Sequence, residues 1–216
     1  MGDGDRMFRI YAHRGLHGGD KSAENGLDAF AAAAAATYGV ETDLRTDADG
    51  RLILFHDRTI QDVAVDSAPV AELERLAGRR IVTLDALLAA GLDTPLNLEV
   101  KTRKAAARLQ AYRGRLPPDT WISSFVHPVA ASLSDELSLP GGLLLASAPM
   151  VLPSPFDGVT RLVWDYNVID DEVIGRGTEL GWAQWVYGAR TPAEHDRVRA
   201  LGCAGVITDW PVLAER

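Results

Sequence analysis

The stretch Phe8-Arg9-Ile10-Tyr11-Ala12-His13-Arg14-Gly15 and the segment Gly39-Val40-Glu41-Thr42-Asp43-Leu44 decide the fold between them. Phe8 to Ala12 is a short, mainly apolar run closed by Gly15, which reads as a strand entering a turn. Seven of the ten residues from Leu27 to Ala36 are alanine, the strongest helix former, and Ser22 or Asn25 is placed to cap the helix. Gly39 to Leu44 reads as the next strand. Strand, helix and strand in this order form a βαβ unit, whose crossover helix obliges the two strands to run parallel.

The same alternation continues along the chain. Further strands are expected near Leu96, Trp121, Gly142, Arg161, Trp182 and Ala204, which with those near Phe8 and Gly39 makes eight. Eight parallel strands close an α/β chain into a TIM-type (β/α)8 barrel. One element lies outside the series: Asp47-Ala48-Asp49-Gly50 is a turn signal, and Arg51 to Phe55 then forms a ribbon strand that runs into His56-Asp57. Helices are expected over Val70 to Leu76 and Leu84 to Ala90, ended by Gly78 and Gly91, and over Lys104 to Tyr112. Pro149, Pro153 and Pro155 break the connection after the fifth strand into a loop. No GxGxxG or GxxxxGK[ST] pattern follows the first strand, which removes the main support for a dinucleotide or phosphate-loop fold.

Composition narrows the class of function. At 216 residues, 47% hydrophobic and 24% charged, residues 1–216 are expected to form one globular domain, and disorder, collagen and coiled coil are excluded. A formal net charge of -8 disfavours nonspecific binding to nucleic acid or anionic membrane. Any anionic substrate must then be held by a local positive device. No apolar run approaches the roughly 20 residues of a membrane span, so a cytoplasmic protein is expected. Cys203, the single cysteine, cannot form an internal disulfide and reads as a small buried hydrophobe.

In a parallel barrel the C-terminal strand ends share one face, and this sequence concentrates polar groups there. His13 and Arg14 follow the first strand. Glu41 and Asp43, two apart, end the second; His56 ends the ribbon; Glu99 and Lys101, again two apart, end the strand near Leu96. Three carboxylates without a thiolate suit a hard divalent cation, Mg²⁺ or Ca²⁺. Two histidines beside that cation can serve as general acid and general base. Arg14 and Lys101 can grip phosphate oxygens, or else pair with the acids. Glu24 and Asn25 are read as the start of the helix and not as part of the chemistry, and Asp209 as the cap of a helix beginning at Pro211.

Seven short motifs stand in order: His13-Arg14-Gly15, Ala23-Glu24-Asn25, Glu41-x-Asp43 with Asp49-Gly50, Phe55-His56-Asp57, Leu98-Glu99-Val100-Lys101, Ser123-Ser124-Phe125 and Gly205 to Pro211. In this register the chain resembles the glycerophosphodiester phosphodiesterase family. The resemblance implies hydrolysis of a small-molecule glycerophosphodiester to glycerol phosphate and an alcohol. It also implies that His13 and His56 are the acid/base pair, that Glu41, Asp43 and Glu99 are the metal ligands, and that Arg14 and Lys101 are the phosphate contacts. The mechanism expected from it has the cation and one histidine activate a glycerol hydroxyl for attack on phosphorus. The other histidine protonates the leaving alcohol, and water opens the cyclic phosphate.

The departures from the family pattern are specific. Ala23 stands where proline is usual, the Thr-Thr-Gly segment and extended cap after His56 are missing, and Tyr187-Gly188-Ala189-Arg190 replaces a usual Trp-Thr-Val-Asn. Two other readings accompany the first. One is a phospholipase-D-like phosphodiesterase acting on lysophospholipid or sphingolipid; the other is a non-catalytic phosphodiester-binding barrel.

Overall fold

A computed structural model describes residues 8–156 and 158–215. Its centre is a closed ring of eight parallel strands: β1 (Arg9–His13), β2 (Gly39–Thr46), β6 (Leu96–Val100), β7 (Trp121–Ser124), β8 (Gly141–Leu145), β9 (Val159–Asp165), β10 (Ala183–Tyr187) and β11 (Gly205–Thr208). Each strand pairs with its neighbour in that order, and β1 closes the ring by pairing with both β2 and β11. Starting from eight places read off the sequence, the barrel is the expected one. The ninth strand of the sheet, β3 (Leu52–Leu54), is antiparallel to β2 and is the expected ribbon. A small hairpin, β4 (Thr59–Ile60) with β5 (Val63–Ala64), follows where an extended cap was expected to be missing.

Helices cover the outside of the ring: α1 (Leu27–Ala35), α2 (Val70–Ala77), α3 (Leu84–Ala89), α4 (Arg103–Leu109), α5 (His127–Leu137), α6 (Asp171–Glu179) and α7 (Pro192–Ala200). Gly78, with a positive φ, ends α2 as its spacing predicts. The expected helix over Lys104 to Tyr112 is instead α4 followed by a 3₁₀ turn over Gln110–Tyr112. Between β8 and β9 the described residues form no helix, in line with the three prolines. Carbonyls of that segment are tied to the barrel by side chains: Trp182 Nε1 donates to Pro153 O at 2.7 Å and Arg176 Nη1 to Met150 O at 3.3 Å. No described helix is long and apolar enough to cross a membrane.

Alternation along the strands separates two cores. Outward residues such as Val40, Leu98, Ile122, Leu162, Trp164 and Val206 are buried beneath the helices. Inward residues fill the barrel axis, where Tyr11, Trp121 and Trp185 meet with ring centroids 5.3–5.9 Å apart. Glycines on three of the strands, β2, β8 and β11, make room for these rings. A Cβ on Gly39 would lie 2.6 Å from Tyr11, on Gly142 2.9 Å from Trp121 and on Gly205 2.5 Å from Trp185. The aromatic plug closes the barrel below its C-terminal face, so the polar strand ends above it form a cup and not a channel.

Candidate active site

Three inward carboxylates stand at the bottom of that cup. β2 delivers Glu41 and Asp43 to the same side because residues two apart in a strand face the same way, and β6 delivers Glu99 by the same rule. Register pairs Asp43 directly with Glu99. One oxygen from each of Glu41, Asp43 and Glu99 lies within 4.8 Å of the others, and all three residues are buried. Such a set repels itself unless positive charge is brought in.

Lys101 supplies part of it, with Nζ 2.8 Å from Asp43 Oδ1 and 2.5 Å from Glu99 Oε1. Arg14 supplies more: its Nε is 3.1 Å from Asp43 Oδ2 and its Nη1 donates to Glu24 Oε2 at 2.7 Å. With all four carboxyls ionised, Glu24, Glu41, Asp43 and Glu99 face two cations and leave two negative charges, the amount a divalent cation cancels. Burial would raise the Asp43 carboxyl, but Lys101 and Arg14 outweigh it and hold the group down at about 2. Glu41 has less help. Burial, with the charge of Asp43 beside it, pushes its carboxyl up to about 8.

Glu41 Oε1 is buried without a hydrogen-bond donor among the described residues. An orphaned carboxylate oxygen aimed into an all-oxygen cluster fits a hard cation such as Mg²⁺ or Ca²⁺, with Glu41, Asp43 and Glu99 as the residues that would hold it.

Arg14 reaches this place through the turn after β1. Arg14 adopts a positive φ of 57° and Gly15 one of 88°, and a Cβ on Gly15 would fall 2.8 Å from the backbone of Ala29. Only glycine lets the turn pack against α1 so closely. The Arg14 backbone N–H then donates to Glu41 Oε2 at 3.1 Å.

His13 stands at the end of β1 with Nε2 3.8 Å from Glu41 Oε2. Its Nδ1 is 2.6 Å from Asp209 Oδ1. Burial would raise the Asp209 carboxyl, but its bond to His13 outweighs that and holds it at about 2, so it is an acceptor and His13 Nδ1–H is the donor. The other nitrogen, Nε2, is therefore the one presented to the carboxylates and to any substrate. Desolvation works against an imidazolium at His13, yet the Asp209 bond and the Glu41 charge together raise its pKa above 6.5.

His56 is placed differently. It follows β3, is half-exposed, and its Nδ1 lies 2.8 Å from Asp57 Oδ1 while its carbonyl accepts from Arg45 Nε at 2.8 Å. It lines a cavity of about 550 Å³ together with Arg14, Lys21, Glu24, Asn25 and Arg79. His56 thus borders the space into which Arg14 opens, although it touches none of the three carboxylates.

Three roles differ from the sequence reading. Neither Ser22 nor Asn25 caps α1, whose N-cap is Gly26 with no side-chain bond. Asn25 is instead buried, donating Nδ2–H to Asp43 Oδ2 at 3.0 Å and accepting from Thr42 Oγ1 at 2.6 Å. Glu24 and Asn25 therefore belong to the polar network and orient Arg14 and Asp43. Asp209 does not cap the 3₁₀ turn at Pro211, whose N-cap is Trp210; it holds His13. Arg190 is exposed and donates its backbone N–H, not its guanidinium, to Glu194.

The sequence model of the glycerophosphoryl diester phosphodiesterase family matches residues 13–113, which contain every one of the seven candidate residues. That segment is similar to the family. Known structures agree over the whole fold. An Oleispira antarctica phosphodiesterase, solved in complex with the product sn-glycerol-3-phosphate, is similar with a TM-score of 0.82 at 18% identity, over 96% of this chain and 95% of that one. A Parabacteroides distasonis glycerophosphodiester phosphodiesterase is similar with a TM-score of 0.80 at 23% identity, over 96% and 95%. For the Thermotoga maritima glycerophosphodiester phosphodiesterase the TM-score is 0.74 at 25% identity, over 97% and 96%. No curated protein sequence matches the chain.

Proposed function

We propose that this protein hydrolyses glycerophosphodiesters to glycerol phosphate and an alcohol, with a divalent cation, Mg²⁺ or Ca²⁺, held by Glu41, Asp43 and Glu99. The observation that carries the reading is the convergence of those buried carboxylates within 4.8 Å, with His13 Nε2 directed at them. The bound cation supplies positive charge that polarises the phosphoryl group and favours ionisation of a nearby hydroxyl.

The chain's own groups do the rest. Lys101 and Arg14, now paired with acids, are positioned to share their N–H donors with the non-bridging phosphate oxygens as charge builds there. His13, held at Nδ1 by Asp209, exchanges a proton at Nε2. His56, on the wall of the adjoining cavity, exchanges the second proton. One histidine takes the proton of the glycerol hydroxyl that attacks phosphorus, and the other gives a proton to the departing alcohol oxygen. Water then opens the cyclic phosphate with the roles reversed. Residues 1–216 act as one catalytic barrel, on a small-molecule substrate in the cytoplasm, without nucleic acid as a partner.

The reading is tested by incubating the protein with Mg²⁺ or Ca²⁺ and a set of glycerophosphodiesters differing in head group. Equimolar glycerol phosphate and free alcohol are expected from at least one member. Choline released from lysophosphatidylcholine with none from glycerophosphocholine would move the activity to lipid substrates. Saturable binding of glycerophosphocholine with no product after long incubation would make the barrel a binding protein.

A further inference from the structure

A cavity of about 890 Å³ lies at the N-terminal mouth of the barrel, at the opposite end from the carboxylate cup. Its wall is built by the first inward residues of the strands, including Arg9 and Tyr11 of β1, Arg161 of β9 and Trp185 of β10. The mouth of a barrel at this end is ordinarily a place for packing, so two inward arginines there require an explanation.

Arg161 is the more telling of the two. Its guanidinium lies over the Trp121 ring at 5.2 Å, and its Nη1 is buried without a hydrogen-bond acceptor among the described residues. The indole Nε1 of Trp121, a residue 2% exposed, is likewise buried without an acceptor. Neither Arg9 nor Arg161 has a carboxylate within ion-pair distance among the described residues. Asp119 and Glu215 border the cavity, but Glu215 is engaged by the Tyr38 hydroxyl. A buried guanidinium donor with no acceptor, Arg161 Nη1, carries a desolvation cost that a bound anion removes. Below it, the half-buried Ala183 and Ala204 line the cavity and rest on the buried Tyr11–Trp185 pair, giving it a small apolar wall.

We propose that this cavity binds a small organic anion, its carboxylate or phosphate head on Arg161 and Arg9 and its apolar body against Ala183 and Ala204. An inorganic anion would satisfy the arginines but leave the small apolar wall of Ala183 and Ala204 uncovered, so the apolar body distinguishes the ligand. The site is separate from the catalytic cup, because the aromatic plug of Tyr11, Trp121 and Trp185 lies between them.

Calorimetric titration of the full chain with phenyl phosphate and with benzoate tests this, each repeated with excess sn-glycerol 3-phosphate. One-to-one binding below about 1 mM is expected for at least one of the two, and inorganic phosphate should bind at least about tenfold more weakly. Arg161→Gln should weaken the organic anion about tenfold, the factor expected for one charge-assisted hydrogen bond. Glycerol phosphate should not compete. Should Arg161→Gln fail to fold, Arg9→Gln, at an exposed side chain, provides the same comparison. The proposal is overturned by absence of saturable heat for both compounds, by unchanged affinity in the variant, or by displacement with glycerol phosphate.

Discussion

Asp209 Oδ1 lies 2.6 Å from His13 Nδ1, so the end of the last barrel strand holds the histidine that ends the first. Register brings them together: β1 and β11 pair in parallel with Ala12 opposite Thr208, which sets His13 beside Asp209. A carboxylate on one ring nitrogen fixes the tautomer and leaves the other nitrogen for substrate.

Asp209→Ala is therefore expected to lower kcat by about 10²-fold, the lower end of a general acid or base contribution, with little change in KM. Asp209→Glu, which can restore the bond, should recover part of the loss. A merely structural role would instead lower the amount of folded enzyme and leave kcat per folded molecule unchanged.

Lys101 separates two of the carboxylates, and its removal should be felt before any substrate is added. Replacing it in Lys101→Met leaves Asp43 and Glu99 buried without their shared ammonium. Loss of one partner from a buried ion pair costs about 3–5 kcal/mol. Denaturant unfolding in EDTA should show a loss of this order, and millimolar Mg²⁺ or Ca²⁺ should return part of it. Equal stability of the variant and the parent in EDTA would mean that the carboxylates are not under mutual repulsion.

His195 gives a pH dependence unconnected with catalysis. Its ring is buried on the inner face of α7, with Nε2 3.1 Å from Thr208 Oγ1, whose own proton goes to Ala189 O; Nδ1 has no partner among the described residues. Burial depresses its pKa below 6.5, with Glu194 opposing and Arg199 adding to the effect. The unfolded chain then takes up a proton at higher pH than the folded one does. The stability contribution is present above about 6.5 and is lost as pH falls toward the lower folded value. His195→Gln should unfold with a flatter pH dependence between about pH 5 and 7 than the parent. Parallel curves for the two proteins would rule out this source of acid sensitivity.

The barrel was legible because each strand is a short apolar run and because inward and outward residues alternate. The carboxylates were legible for the same reason: Glu41 and Asp43, and Glu99 and Lys101, share a face by a spacing of two. The partnerships were not. Asn25 reads as a helix cap by residue type, but the positive φ of 58° at Asn25 turns its side chain into the cup, where Asp43 takes the bond. Asp209 lies 196 positions from His13, and only closure of the ring makes them neighbours. A polar residue directly after an inward strand end was the available signal, and it pointed equally well to capping. The seventh strand was more readable, since alternation put Trp185 and Tyr187 on one side, and both face inward, Tyr187 against Phe125 at 6.0 Å.

The central claim is that a divalent cation on Glu41, Asp43 and Glu99 works with two histidines to cleave a glycerophosphodiester. The most direct measurement is the rate of glycerol phosphate release by parent, His13→Ala and His56→Ala proteins, each after EDTA treatment and again after Mg²⁺ or Ca²⁺ is restored. The expected result is no turnover in EDTA, recovery in the parent alone, and at least about a 10²-fold deficit in either histidine variant. Turnover that survives EDTA, or a near-parental rate in either variant with the cation restored, would contradict it.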